Sequence, residues 1–288
     1  MEINFEPLQL KHKDIYNAFP IYGPNSKFSF AQGFMWQESY KTRICVRDDY
    51  LLFTACPKDE TFFVAPILRD QESIVPAINE MIELSNGDLC IHYACPEIIT
   101  AINKYFPDKF EFELNRDDSE YVYIVQDLIN LAGKKYHQKK NHVNTFCRNH
   151  SYEFAAYTDE YLDACLSLQQ KWLETSDNGD IAESEAIKKA LLHYNELNIQ
   201  AGVILQDGNV TAFSIGERIG NDVVILIEKA SPEYNGLFQV INRDTLSHLF
   251  PDCKYVNRCE DLGIEGLRKA KLSYRPCFLI DKYTCRLK

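Results

Sequence analysis

Short runs with the two-residue period of strands alternate with runs of helical period along almost the whole chain, and this alternation most constrains the fold. TRICVRDD and YLLFTACP predict two strands with Asp48 and Asp49 at their turn, and TFFVAPIL predicts a third. QESIVPAINEMIELS is helical, with Ile74, Ile78, Met81 and Ile82 on one face and Pro76 admissible only in its first turn. GDLCIHYA, FEFELN and EYVYIVQ predict strands, and CPEIITAINKYF a helix.

The same alternation resumes after residue 150. YEFAAY is a strand, and DEYLDACLSLQQKWLE and ESEAIKKALLHYNEL are helices around the polar loop TSDNGDIA. IQAGVILQ, VTAFSIGERI and DVVILIEKAS form consecutive strands joined by DGN and GN turns. LFQVINRDTLSHLF is a helix, KYVNRCED a strand, IEGLRKAKLS a helix and PCFLIDKYTC a final strand. Helices alternating with antiparallel hairpins specify an α/β fold of the α+β, mixed-sheet kind. Two similar halves are expected, residues 1–130 and 131–288.

Between the halves lies KKYHQKKNHVNTFCRNH, residues 134–150, with five Lys or Arg, three His and no acid, in a chain of net charge −11. Asp127 to His150 reads as helix, interrupted at Gly133. Tyr136, Val143, Phe146 and Cys147 fall on one side, and Lys134, His137, Gln138, Asn141, Thr145 and Arg148 on the other. The run reads either as a solvated face, although such a face would be expected to mix both signs of charge, or as an anion-binding face with Lys135 and Lys139 as phosphate ligands. His137 and His142 are five apart, off the spacing of a helical zinc pair.

The acidic balance excludes general wrapping by nucleic acid or anionic membrane; any polyanion contact is local. Ten cysteines contain no C-x-x-C pair, and most sit beside apolar residues as small buried hydrophobes. The opening MEINFEPLQL, with its charges and a proline, is not expected to act as a signal peptide, and no apolar run approaches the ~20 residues of a membrane span. A soluble, reducing, cytoplasmic protein is expected, with peripheral membrane contact left open. Its 45% hydrophobic content is ample for a packed core. The sequence lacks G-x-S-x-G, Walker and dinucleotide glycine motifs. The acids Glu174, Asp177, Asp180, Glu183 and Glu185 lack EF-hand order and read as a surface loop or a lid.

Two stretches, YVYIVQDLINLAGKKYHQKKNHVNTF and NRCEDLGIEGLRKAKLSYRP, resemble a family related to the C-terminal catalytic domain of phosphatidylglycerol lysyltransferases. That resemblance implies two tandem GNAT-like (acyl-CoA N-acyltransferase) domains, as in Fem-type aminoacyltransferases. It also implies aminoacyl transfer from aminoacyl-tRNA to an amine or hydroxyl acceptor. No cofactor is expected to be tightly bound; the donor substrate would be aminoacyl-tRNA or acyl-CoA. The expected partners are a tRNA acceptor end or a phosphate-bearing small molecule. The usual GNAT phosphate signature is Gln or Arg, two free positions, Gly, one free position, then Gly or Ala. In SPEYNGLFQVINRD only Gly236 fits it, with Glu233 and Phe238 at the other specified places. Asn235 and Gly236 therefore serve either as an anion cradle or as a plain turn into a helix.

The candidate catalytic residues are Glu228, Asp261 and Tyr274. Glu228 lies in a strand expected to be buried, needs a partner such as Arg218, and would bind the donor's amino group or act as base. Asp261 is a candidate N-cap or base, and Tyr274 a proton donor to the leaving group. Glu260, Arg268, Lys271 and Arg275 join them as substrate or phosphate ligands, since strand ends of a mixed sheet often hold ligands. Arg268 and Lys269 could equally face water. Arg275, before Pro276, is expected to be extended. A non-enzymatic RNA- or polyanion-binding module is the remaining alternative.

Overall fold

The computed structural model describes residues 5–175 and 181–288, so Asp177 and Asp180 lie outside the described residues. The first sheet takes β1 (Glu6–Pro7), β2 (Arg43–Val46), β3 (Tyr50–Ala55), β4 (Phe62–Leu68), β5 (Cys90–Ala94) and β6 (Phe110–Leu114). The second takes β7 (Glu120–Ile124), β8 (Glu153–Ala156), β9 (Gln200–Gln206), β10 (Asn209–Ile219), β11 (Asp222–Ala230), β12 (Tyr255–Asn257) and β13 (Phe278–Ile280). The last strand, β14 (Tyr283–Leu287), returns to the first sheet. The orders are β1-β2-β3-β4-β5-β14-β6 and β13-β7-β12-β11-β10-β9-β8.

Each sheet repeats one unit: a hairpin, a helix, and a strand returning parallel to the hairpin's second strand. In the first half these are β3–β4, the helix Ile74–Leu84 and β5; in the second, β10–β11, the helix Leu237–Leu249 and β12. A parallel neighbour needs such a crossover, and the helical segments supply it. Pro76 sits in the first turn of its helix, and Ile74, Ile78 and Met81 are buried, as their spacing requires; Ile82 is half-buried.

PCFLIDKYTC is two strands rather than one. β13 pairs with β7 in the second sheet, and β14 inserts between β5 and β6 in the first. The break falls at Asp281 and Lys282, whose side chains are claimed by Ser119 (3.0 Å) and Glu120 (2.7 Å). β7 meanwhile pairs with β12 and β13, so each half lends a strand to the other's sheet. KYVNRCED is strand only over Tyr255–Asn257. The helix across the halves is in pieces: Val125–Asn130, then Gly133 at φ +82°, then His137–Asn149. Tyr136, Val143 and Phe146 are buried as expected, but Cys147 is exposed, because its position rotates past the buried stripe. All ten cysteines are free, five of them buried.

One apolar core joins the halves. It contains Phe30, Phe34, Ile44 and Leu51 from the first and Ile187, Leu191, Val203 and Phe213 from the second. Among the described residues no helix is long and apolar enough to cross a membrane.

Candidate functional site: where the second sheet splays

β11 and β12 pair only at Val223–Val256 and Val224–Asn257, then part. β12 ends because the backbone turns left-handed at Cys259 (φ +57°) and again at Leu262 (φ +55°) and Gly263 (φ +72°). Side-chain-bearing residues rarely adopt such angles, and tertiary contacts must hold them there. They are present: the Lys271 amine donates to the carbonyls of Arg258 and of Cys259, the latter at 3.1 Å. Cys259 N–H donates to Asn257 Oδ1 at 2.7 Å. Gly263 has no room for a side chain, since an added Cβ would lie 2.7 Å from Asp117 Oδ2.

The kink presents Glu260 at the splay. Its carboxylate is half-buried and in no ion pair among the described residues. Burial and the neighbouring Glu120 charge push its pKa above the ordinary value. The first half supplies the opposing wall. There Tyr93, itself left-handed at φ +59°, has its phenol pushed up by burial and by the carboxylates of Asp118 and Glu260.

Beneath lies a buried polar tie between the halves. Glu120 pairs with Lys282 at 2.7 Å and accepts from Ser26 N–H at 3.1 Å and from the Ser26 hydroxyl. Asn257 reaches the same carboxylate and the Pro24 carbonyl. Lys282 also donates to Asn25 Oδ1 at 2.7 Å. Burial opposes the charge on Glu120, but Lys282 and Ser26 hold its pKa below the usual value.

On the other side of the splay, Glu228 pairs with Arg258 at 2.7 Å and accepts from Asn242 at 2.9 Å. The expected partner Arg218 instead grips Asp252 through two hydrogen bonds, of 2.7 and 3.0 Å. Glu228 lies on β11 beyond the parting, and Arg258 directly follows the end of β12 at Asn257. The Arg258 guanidinium lies 4.7 Å from the Tyr274 ring centroid, and the Lys139 amine 4.3 Å from the same ring. Burial and Arg258 lower the Lys139 pKa, and burial pushes the Tyr274 phenol to about 12. Arg258 Nη1 is buried without a hydrogen-bond partner among the described residues.

The splay thus gathers Glu228, Glu260, Lys271, Tyr274 and, from the basic helix, Lys139. Other sequence candidates lie elsewhere. Lys135 is exposed and tied to Asp127 at 2.7 Å. Asp261 is fully buried and faces away: Arg268 holds it through two 2.8 Å bonds, with Tyr121, Gly263 N–H and Arg116 beside it. Burial opposes its charge, yet these donors hold its carboxyl well below the usual range. It caps no helix, since the helix that follows begins at Glu265 after Ile264. Arg268 also binds Asp117 at 2.6 Å, and Lys269 faces water beside Glu265. Arg275 is exposed and left-handed at φ +56° rather than extended, because its N–H closes the preceding helix onto the Leu272 carbonyl.

Gly236, with Asn235 before it, leads into the helix Leu237–Leu249 at φ +94°, and a Cβ there would lie 2.5 Å from the His142 carbonyl. Its close approach is to the basic helix. Of the polar loop, Glu183 pairs with Lys229 at 2.7 Å. Sequence reasoning did not single out Arg258, Glu120, Lys282 or Tyr93. For Lys282 the available signal was a charged pair, Asp281-Lys282, inside an apolar run, and Arg258 lies within the quoted stretch NRCEDLGIEGLRKAKLSYRP.

This geometry has known relatives. A conserved protein of unknown function from Bacteroides thetaiotaomicron matches with a TM-score of 0.91 at 29% identity, over 99% of this chain and 100% of that one. The structure of L-PGS from Bacillus licheniformis matches at 0.72 with 15% identity, over 100% and 94% of the two chains. The structure of FemX matches at 0.62 with 9% identity, over 99% and 97%. The fold is accordingly the mixed α/β arrangement of two mixed sheets that these structures share. Residues 21–286 match the family described as phosphatidylglycerol lysyltransferase, C-terminal, and the chain belongs to that family.

Proposed function

We propose that this chain moves an aminoacyl group from aminoacyl-tRNA to an amine or hydroxyl acceptor, with the chemistry at the β11–β12 splay. The observation that carries the reading is Glu260: a half-buried carboxylate of raised pKa, in no ion pair among the described residues, on a strained kink at the strand tip. Glu228 and Asp261 are both committed to arginines, whereas a general base needs a carboxylate with capacity to spare.

In this reading the acceptor's nitrogen or oxygen attacks the ester carbonyl of the donor. A bond to the acyl carbon forms, the carbonyl–ribose oxygen bond breaks, and Glu260 takes the acceptor's proton. The protonated Glu260 then gives that proton to the departing ribose oxygen, which restores the carboxylate. Backbone N–H groups on the unpaired edge of β11 stabilise the oxyanion, since donors fixed in a low-dielectric site need no reorganisation. Glu228 orients Arg258, which with Lys139 offers positive charge to a phosphate. Tyr274 is the platform for both cations, and with its phenol at about 12 it is a poor proton donor.

The test is transfer of a labelled amino acid from charged tRNA to amines, hydroxyl compounds and lipid head groups. Glu260→Gln is expected to lower the rate by about 10²–10⁴ while leaving the fold intact. Acetylation of an amine from acetyl-CoA, with no transfer from any charged tRNA, would replace this reading with a CoA-dependent one.

A further inference from the structure

We infer that the outward face of the helix His137–Asn149 is a docking surface for the phosphodiester backbone of an RNA strand, separate from the chemistry at the splay. The inference rests on the aminoacyl-tRNA reading only for the identity of the RNA. From residue 134 to residue 150 there is no acid, although the chain as a whole carries net charge −11. The structure sorts the five cations of this run. Lys135 is neutralised by Asp127, and Lys139 turns inward onto Tyr274. Lys134, Lys140 and Arg148 are exposed and in no ion pair among the described residues.

Lys140 and Arg148 lie eight residues apart, so they share a face with Asn141, Asn144 and Cys147. Asn141, Asn144, Cys147 and Arg148 line a shallow, open depression on the helix surface. His137 precedes them on the same face, 3.1 Å from the Asn141 amide. Successive turns thus present donors ~5.4 Å apart along one open helix face, which suits a chain of phosphates contacted without reading bases. A membrane surface fits less well. No large apolar side chain is exposed on this helix, and interfacial helices need an apolar face to bury.

The test uses the full chain and a fluorescent RNA hairpin with a single-stranded 3′ end. Anisotropy is measured over a salt series for the wild type, for Lys140→Glu with Arg148→Glu, and for Lys135→Glu. The double variant should raise Kd at least tenfold and flatten the salt dependence by about two phosphate contacts. Lys135→Glu should change Kd less than threefold, and thermal melts should match throughout. An unchanged Kd in the double variant overturns the inference, as does equal loss with Lys135→Glu or binding of anionic vesicles in preference to RNA. Transfer assays at saturating charged tRNA separate the two readings. RNA binding through this face without transfer removes the proposed function and leaves the surface; transfer with an unchanged Kd does the reverse.

Discussion

At the scale of single residues, three carboxylates near one strand tip have three different fates, and their donors decide which. Asp261 is saturated by Arg268, Tyr121 and a backbone N–H, Glu228 is shared between Arg258 and Asn242, and Glu260 is in no ion pair among the described residues. Removing one partner from a buried ion pair strands the other charge. Arg268→Ala is therefore expected to destabilise the fold at pH 7, because it strands the buried Asp261 carboxylate, measured by urea unfolding. Because the Asp261 carboxyl is held below its usual range in the folded chain, that contribution is full above the ordinary carboxylate range. It is lost as pH falls through and below that range, so wild type and variant should converge in acid. The letters CEDLG show acids at a strand end but not which will be consumed. Arg258, read as part of the same stretch, determines the state of Glu228 from thirty positions away.

At the scale of elements, hydrophobic period predicted well wherever one face is buried along an element's length. The helices Ile74–Leu84 and Leu237–Leu249 and the β9–β10–β11 meander are of this kind. It failed where an element ends for a tertiary reason: β12 stops at a kink held by Lys271, and β13 and β14 separate at two charged side chains. A second tertiary contact carries a pH dependence. Glu217 of β10 is buried against the start of the helix Phe30–Met35, where it receives the Ser29 hydroxyl and the Ala31 N–H at 3.3 Å. Burial raises its carboxyl from 4.5 to about 7. Between those values the folded chain keeps a proton that the unfolded chain releases, so stability falls as pH rises across that window. Glu217→Gln should flatten this slope and stabilise the fold at pH 8 by on the order of 2 kcal/mol, read from melts between pH 5 and 8.

At the scale of the whole molecule, the two halves exchange strands, share a core and meet at the Glu120–Lys282 pair. Lys282 is almost fully buried beside Glu120 and Asn25. Lys282→Met should cost about 3–5 kcal/mol, and adding Glu120→Gln should recover part of it, because the unpaired charge would be gone. A single cooperative transition is expected in each case, measured by circular dichroism and by tyrosine fluorescence together. Two transitions would show that the halves unfold separately despite the exchanged strands.

The sequence by itself determined the element types, the doubled mixed α/β plan, the acid-free helix between the halves and a short set of charged residues around one strand tip. Periodicity and charge pattern are local properties, legible wherever burial is continuous along one face. Only the tertiary structure decided which strands crossed between sheets, which lysine turned inward and which carboxylate was left without an ion pair among the described residues. Those outcomes depend on pairings such as Glu120 with Lys282, more than 150 residues apart in the chain, and nothing in a local pattern encodes the choice of so distant a partner.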